Sequence, residues 1–443
     1  MEHTVDRIIE LSEKFNPDQV EAYGSRNRLI TIRLANNEVL EAKSLAIKGV
    51  GIRFVLNKSI GLTSSTDLSE EGLKNALEKA FKIAKSKKSD PDFKSLPEPK
   101  KAEDLAIGHD KDLLNLEAEE TVKWGKSVIE TAKGINAELD ISGSINIVVD
   151  ECWIRNSLGV DCSDINTFIF SSITAEKGDE ISGVGQTCSK SLKDFDPMKA
   201  GSEAAQIQLK DIKGEKIIPD KYEVIMGPFA VAELMEFVVS YAVNLAAIDA
   251  GISYFKGRLG EVVASQKFTL TDDGRSKEGI ASKKYDDEGI PTGRVELIKE
   301  GILKNFLSDS YYANKLSSPV KELSPTGNGF RYGEIPCRSY TAFPSIQPTN
   351  LLVDPGKSCV DDLIANTKKG ILIGRIWYTY PLNPTVGDFS ATNRGSTFYI
   401  ENGKLKHPIL PNSFRINDNI QKLINNIMEI SSEQVQSMVW GDP

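Results

Sequence analysis

The stretch QVEAYGSRNRLITIRLANNEVLEAKSLAIKGVGIRFVLNK, residues 19–58, decides how the front of this chain is read. Apolar and polar residues alternate through Gln19–Tyr23, Leu29–Leu34, Val39–Ile47 and Gly49–Leu56. That two-residue period belongs to strands with one buried face. Asn36-Asn37 and Asn57-Lys58 fall between the runs, and asparagine tolerates the left-handed backbone that tight hairpins need. The stretch predicts an antiparallel meander.

Elements on either side complete a unit. Ahead of it, Val5, Ile8, Ile9 and Leu11 put one apolar face on a helix over residues 5–15. Behind it, Ser69–Ser86 carries the stripe Leu73, Ala76, Leu77, Ala80 and Ile83, with Asp67 or Ser69 placed to cap it. Ser89–Glu103, rich in Pro, Lys and Asp, reads as a linker. From about Asn115 the same order recurs. A helix over Glu117–Ala132 precedes strands near Ile141–Asp150, Trp153–Asn156 and Ile165–Ala175, with a hairpin at Ser157-Leu158-Gly159 and a closing helix over Asp196–Ile212. The polar segment Lys213-Gly214-Glu215-Lys216 ends this second unit. A third begins with a strand, Tyr222–Met226, which runs through Gly227 into a helix started by Pro228. Beyond Gly251, short β-type runs dominate to about residue 410, and Asn417–Ile430 reads as a last helix. The expected fold is α+β. It has an N-terminal α/β domain (residues 1–103), a middle α/β domain (115–215) and a β-rich C-terminal domain (221–443).

Composition narrows the function. The chain has 54 Lys and Arg against 63 Asp and Glu, a net charge of −9. Such a chain lacks the positive field that holds polyphosphate backbones, so nucleic acid is not expected as a ligand. The most apolar helical stretch, Pro228 to Ala250, contains Glu233, Glu236, Asn244 and Asp249 and is not expected to enter a membrane. No apolar run follows a basic start, and the five cysteines (Cys152, Cys162, Cys188, Cys337, Cys359) are odd in number and scattered. A cytoplasmic protein with reduced thiols is the expectation.

Local chemistry is sparse. The three histidines, His3, His109 and His407, are too far apart in sequence for a helix-borne zinc pair. No Gly-x-Ser-x-Gly elbow and no Gly-x-Gly-x-x-Gly turn occurs. Gly356-Lys357-Ser358 resembles the end of a phosphate loop, but Leu351 stands where that motif needs glycine, and Pro355-Gly356 reads as a turn. Acids cluster at Asp286-Asp287-Glu288 and Asp272-Asp273, both before glycines, and both read as turns. Glu233 and Glu236, one helical turn apart, read as a solvent-facing edge. The aromatics of Trp377-Tyr378-Thr379-Tyr380 alternate like a strand and read as core or interface.

Four C-terminal segments taken together resemble the TldD/PmbA family, once called modulators of DNA gyrase. They are Asp286-Asp287-Glu288-Gly289-Ile290-Pro291-Thr292, followed by Leu297–Leu303; Pro325-Thr326-Gly327-Asn328-Gly329-Phe330-Arg331; Gly387-Asp388-Phe389-Ser390; and Tyr399-Ile400-Glu401-Asn402-Gly403 with His407-Pro408 behind it. The resemblance implies a metalloprotease built from two related subunits. The TldD-type subunit holds zinc through a His-Glu-x-x-x-His helix whose glutamate can activate bound water. In this chain the matching helix reads Ala230–Ser240. Met235 and Ser240 stand at the histidine positions, and Glu236 alone matches.

The resemblance therefore points to the TldE/PmbA-type subunit. It assigns no catalytic, cofactor-binding or metal-ligating residue to this chain. Zinc is expected in the partner, a TldD-like peptidase subunit forming a heterodimer, with small or unfolded peptides as substrate. Two alternatives stay open: a stand-alone homodimeric binding or regulatory protein, and a metal-independent hydrolase using Glu236 or the Asp286–Glu288 cluster.

Overall fold

A computed structural model of the chain describes residues 1–103, 109–178, 181–211, 214–318, 322–333 and 335–439. Ile212 and Lys213, which the sequence places at the end of the second unit, lie outside the described residues.

The first unit is α1 (Glu2–Ser12), three strands, β1 (Gln19–Ala35), β2 (Glu38–Leu56) and β3 (Ser59–Ser65), and α2 (Glu70–Ser86). After a short α3 (Lys111–Asn115) the second repeats that order: α4 (Ala118–Ile135), β4 (Asp140–Asn156), β5 (Asp161–Lys177), β6 (Ile181–Ser189) and α5 (Pro197–Asp211). The two meanders form one antiparallel sheet, ordered β3-β2-β1-β4-β5-β6, in which β1 and β4 join the units at the centre.

The strands run longer than the alternation predicts. Sequence periodicity breaks at Ser25–Arg28, yet β1 continues through it. Asn27 is buried there and donates Nδ2 to the Arg338 carbonyl at 2.6 Å, so a distant loop supplies the acceptor for its amide. Alternation then sorts the two faces. Val20, Ala22, Val50 and Ile52 pack under α1 and α2. Ile30, Ile32, Ile145 and Ile173 pack under α4 and α5. Tyr23, Cys152, Ile154 and Cys162 point the other way, toward Tyr285 and Tyr340 of the C-terminal domain. The molecule is thus layered as helices, sheet and C-terminal domain.

Helix α2 starts as its sequence predicts, with Ser69 Oγ accepting from the Gly72 N–H at 3.1 Å. Both outer helices lie close on their strands. A Cβ at Gly61 of β3 would run into the Ala80 carbonyl of α2, and one at Gly183 of β6 into the Ala204 carbonyl of α5.

The C-terminal domain opens with β7 (Glu223–Met226) and α6 (Pro228–Leu234), with Pro228 in the first turn. The single helix expected to Ala250 is broken. A π turn (Met235–Val239) and a 3-10 turn (Ser240–Val243) follow, and Asn244 Oδ1 then accepts from the Ala246 N–H at 2.8 Å to cap a new helix, α7 (Leu245–Ala250). Next come β8 (Leu270–Asp273), β9 (Arg294–Lys299), β10 (Ile302–Leu303), α8 (Ser310–Leu316), β11 (Gly329–Phe330), β12 (Ser345–Ile346), β13 (Leu351–Val353) and α9 (Val360–Asn366). β14 (Lys369–Ile373), β15 (Ile376–Asn383), β16 (Asp388–Asn393), β17 (Thr397–Glu401), β18 (Lys404–Pro408) and β19 (Arg415–Asn419) follow, and α10 (Ile420–Asn425) is shorter than the expected last helix. Small sheets ordered β10-β9-β8-β13, β18-β17-β14-β7 and β15-β16-β19 surround an apolar core that contains Val238, Phe255, Leu297 and Phe389. The α+β expectation, with a β-rich C-terminal part, agrees with this architecture. All five cysteines are unpaired. Among the described residues no helix is long and apolar enough to cross a membrane.

Replacing Gly61 or Gly183 by alanine forces strand and helix apart at a backbone contact, which costs about 1–3 kcal/mol in an overpacked site. Urea unfolding of Gly61→Ala and Gly183→Ala should show that loss, whereas Gly134→Ala, which meets no atom within 4 Å, should not.

Candidate functional site

The acidic turn is where sheet and C-terminal domain meet. Asp286, Asp287 and Glu288 are all fully buried. Asp286 closes the turn itself, Oδ1 accepting from the Glu288 and Ile290 N–H groups at 3.0 and 2.9 Å. Glu288 Oε1 accepts from Arg53 Nη1 at 3.0 Å and from Ser310 Oγ at 2.8 Å, and Oε2 accepts from the Ser310 N–H at 2.8 Å. Arg53 also pairs with Glu21, its cross-strand neighbour in the β1–β2 register. Glu21 in turn holds Arg331 of the C-terminal domain. Asp287 receives the Tyr23 hydroxyl at 2.9 Å and the Arg331 N–H at 2.7 Å, with Arg338 Nη1 at 3.5 Å. Arg338 Nε donates to Asp150 Oδ2 of β4 at 3.0 Å, and the Arg331 guanidinium lies 4.5 Å from the Tyr23 ring centroid. The turn predicted from sequence is present, and it is also the hub of a buried ion network.

Two of the segments that carry the family resemblance meet here. Asp286 Oδ2 accepts from the Gly329 N–H at 2.9 Å, and Asp287 from Arg331. Asn328 Nδ2 donates to Asp272 Oδ2 at 2.7 Å, while Thr326 Oγ1 donates to Asn328 Oδ1 at 2.7 Å. A Cβ at Gly329 would press on the Glu288 carboxylate. These motifs are one another's hydrogen-bond partners.

Acids outnumber guanidinium groups in this network, and burial sharpens the imbalance. Desolvation first, and then the Glu288 carboxylate, push Asp286 well above the usual carboxylate range, against the pull of its three N–H donors. The same two causes raise Asp309 to about 7, and desolvation raises Asp272 to about 6.

Glu236 lies elsewhere, on the wall of a cleft of about 2490 Å³. The π turn decides what its neighbours can do. The Ser240 N–H bonds to the Met235 carbonyl five residues back, so positions 235 and 240 return to one face. Two ligands at that spacing would share an ion. The residues present do not fit one. Met235 is buried in the apolar core, and Ser240 Oγ donates to the Glu236 carbonyl. Among the described residues no group of three or more His, Cys, Asp or Glu side chains is gathered as a metal would require. Glu233 departs from the expected solvent-facing edge. It is buried and accepts from Thr379 Oγ1 at 2.9 Å. The structure therefore does not gather Glu236 with the Asp286–Glu288 cluster into a single site.

Two sheet margins face this cleft. β7 is the last strand of the sheet β18-β17-β14-β7, and β13 the last of β10-β9-β8-β13; Glu223–Met226 and Leu351–Val353 both line the space. The strand Tyr222–Met226 is legible in the sequence but its place at a sheet edge is not, and β13, three residues long, lacks a readable period.

Comparisons with known proteins agree with the motifs. The PmbA/TldA metallopeptidase C-terminal domain matches residues 219–443, and domain 1 of the same metallopeptidases matches residues 20–84. The chain is 25% identical to a metalloprotease TldD homolog of Buchnera aphidicola (subsp. Acyrthosiphon pisum), over 85% of this chain and 78% of the relative. It is also 25% identical to a metalloprotease PmbA homolog of Buchnera aphidicola (subsp. Baizongia pistaciae), over 84% and 79%. The crystal structure of TldE from Thermococcus kodakarensis superposes with a TM-score of 0.87 at 25% identity, covering 99% of this chain and 96% of that one.

Asp309 caps α8, Oδ1 accepting from the Tyr312 N–H at 2.8 Å, a role asparagine fills equally well. Its folded value of about 7 exceeds the ordinary 3.8, so the folded state holds the extra proton. Its contribution to stability is present below about pH 4 and is lost as the pH rises to about 7. Asp309→Asn should therefore gain stability over the wild type between pH 5 and pH 8, by roughly 2–4 kcal/mol at the upper end. Denaturant unfolding across that range checks it, and parallel pH profiles would contradict it.

Proposed function

This chain belongs to the PmbA/TldA metallopeptidase family, and on that premise we propose that it is the non-catalytic, TldE/PmbA-type subunit of a zinc peptidase complex acting on small or unfolded peptides. The observation that carries the reading is the helix after Pro228. Its π turn keeps the five-residue return on which a His-Glu-x-x-x-His motif would place two ligands, yet Met235 and Ser240 occupy those positions. Identity alone does not choose between subunit types, since TldD and PmbA homologs match equally well. The side chains on this helix favour the TldE/PmbA type. Likeness to TldE from Thermococcus kodakarensis supports the same choice.

What supports a peptide as the ligand is the pair of sheet margins along the cleft. An extended chain pairs its backbone with such an edge through main-chain hydrogen bonds that are indifferent to sequence. That suits a peptidase of broad scope. In this reading the chain shapes part of the chamber and contributes no group to the bond-breaking step, while zinc and the water-activating glutamate reside in the TldD-type partner.

Co-expression with a TldD-type subunit should give a heterodimer on size exclusion that cleaves an unfolded peptide, with activity lost to a chelator. Glu→Gln in the partner's motif removes a general base and should lower turnover by roughly 10²-fold or more, whereas Glu236→Gln here should lower it by less than tenfold. Zinc-dependent cleavage by this chain alone would overturn the proposal. A persistent homodimer that ignores the partner would favour the stand-alone binding role instead.

A further inference from the structure

A second cavity, of about 530 Å³, lies between the outer strands of the six-stranded sheet and the β14–β15 corner of the C-terminal domain. Among the described residues that line it, Arg375 and Arg394 are the only ones with charged side chains. Arg375 sits in the link between β14 and β15, and Arg394 directly follows β16. The sheet contributes hydroxyl and amide groups, among them Ser171, Ser172 and Gln186. Trp377 Nε1, Ser171 Oγ and Ser437 Oγ are buried there with no hydrogen-bond partner among the described residues.

The two arginines are poorly compensated. Desolvation lowers the pKa of both. The largest opposing charge is Glu233 for Arg375 and the exposed Glu176 for Arg394, and neither carboxylate lines the cavity. Arg394 is nonetheless held in place. Its guanidinium lies 3.8 Å from the Trp377 ring centroid, and Nη2 donates to Ser182 Oγ at 2.9 Å. Two half-buried guanidinium groups beside unmatched indole and hydroxyl donors, with no carboxylate in the wall, describe a site completed by an anion.

Position selects the anion. Gln436 and Ser437 line both this cavity and the large cleft, so the two spaces adjoin across one short segment. Gly374 lines the cleft and the next residue, Arg375, lines the cavity. A chain extended along the cleft toward Gly374 would bring one end beside the arginines. We propose that the Arg375–Arg394 cavity binds the C-terminal carboxylate of a peptide, a reading that rests on the cleft being a peptide site. A planar guanidinium matches a carboxylate through two parallel N–H donors, so a free peptide end is favoured over an internal segment.

Calorimetric titration of the full chain tests this without any partner subunit. The probes are acetyl-tetraalanine with a free carboxylate, the same peptide as its C-terminal amide, and inorganic phosphate. Loss of charge-assisted hydrogen bonds should make the amide roughly tenfold or more weaker, and Arg375→Gln should erase the difference. Should Arg394→Gln fail to fold once its stack on Trp377 is lost, Ser437→Ala, which removes one donor only, still narrows the acid–amide gap. Equal binding of acid and amide overturns the carboxylate site while leaving the cleft a peptide site. Absence of binding by either peptide overturns the peptide reading of the cleft as well. Binding of phosphate without peptide also overturns the proposal, leaving a small-anion site.

Discussion

Glu21 lies fully buried between two arginines that reach it from different parts of the fold, Arg53 on the neighbouring strand and Arg331 in the C-terminal domain. Taking a carboxylate and two guanidinium groups out of water costs several kcal/mol per ion. Only complete pairing offsets that cost, and removal of one member leaves the others charged and stranded. The network extends this constraint through Glu288 to Ser310, and through Asp287 to Tyr23 and Arg338. Sheet and C-terminal domain are therefore joined by ion pairs that cross between them. The arginine cavity lies along the same seam, between sheet strands and the C-terminal domain, whereas the large cleft is walled mainly by the C-terminal domain.

Seen this way, the segments that identify the family divide by role. Asp286–Thr292 and Thr326–Arg331 bond to each other and reach the sheet through Arg53, Tyr23 and Glu21. Gly387-Asp388-Phe389 is structural too, since Phe389 is in the apolar core and Asp388 Oδ1 accepts from Asn419 Nδ2 at 2.9 Å. A family can keep such residues across subunits whose chemistry differs, because its members share the fold before they share a reaction. Motif resemblance therefore recognises the family, and the proposed subunit assignment rests on the helix from Pro228.

Local signals were legible and long-range ones were not. The cap at Ser69, the Pro228 start and the Asn36-Asn37 turn each depend on neighbours a few residues away, and each stands where the sequence puts it. Strand length is not readable at Ser25–Arg28, because the carbonyl that accepts from Asn27 Nδ2 lies 311 residues on. Glu233 read as an exposed edge, since Thr379, its buried partner, belongs to another strand 146 residues away. The break in the helix had a local signal that periodicity overrode: Asn244, a strong capping residue inside an apolar run. Arg375 and Arg394 offered nothing in sequence to join them. Trp377, read as core or interface, is the side chain that brings Arg394 into the cavity wall.

The functional account turns on which subunit holds the metal. In the proposed reading, the π turn carries Met235 and Ser240 where the partner subunit carries its metal ligands. Metal content reports this without reference to any substrate. Zinc measured by elemental analysis should be far below one equivalent in the purified chain and close to one equivalent per heterodimer once the TldD-type subunit is bound. One tightly held zinc per chain in the absence of that partner would contradict the account.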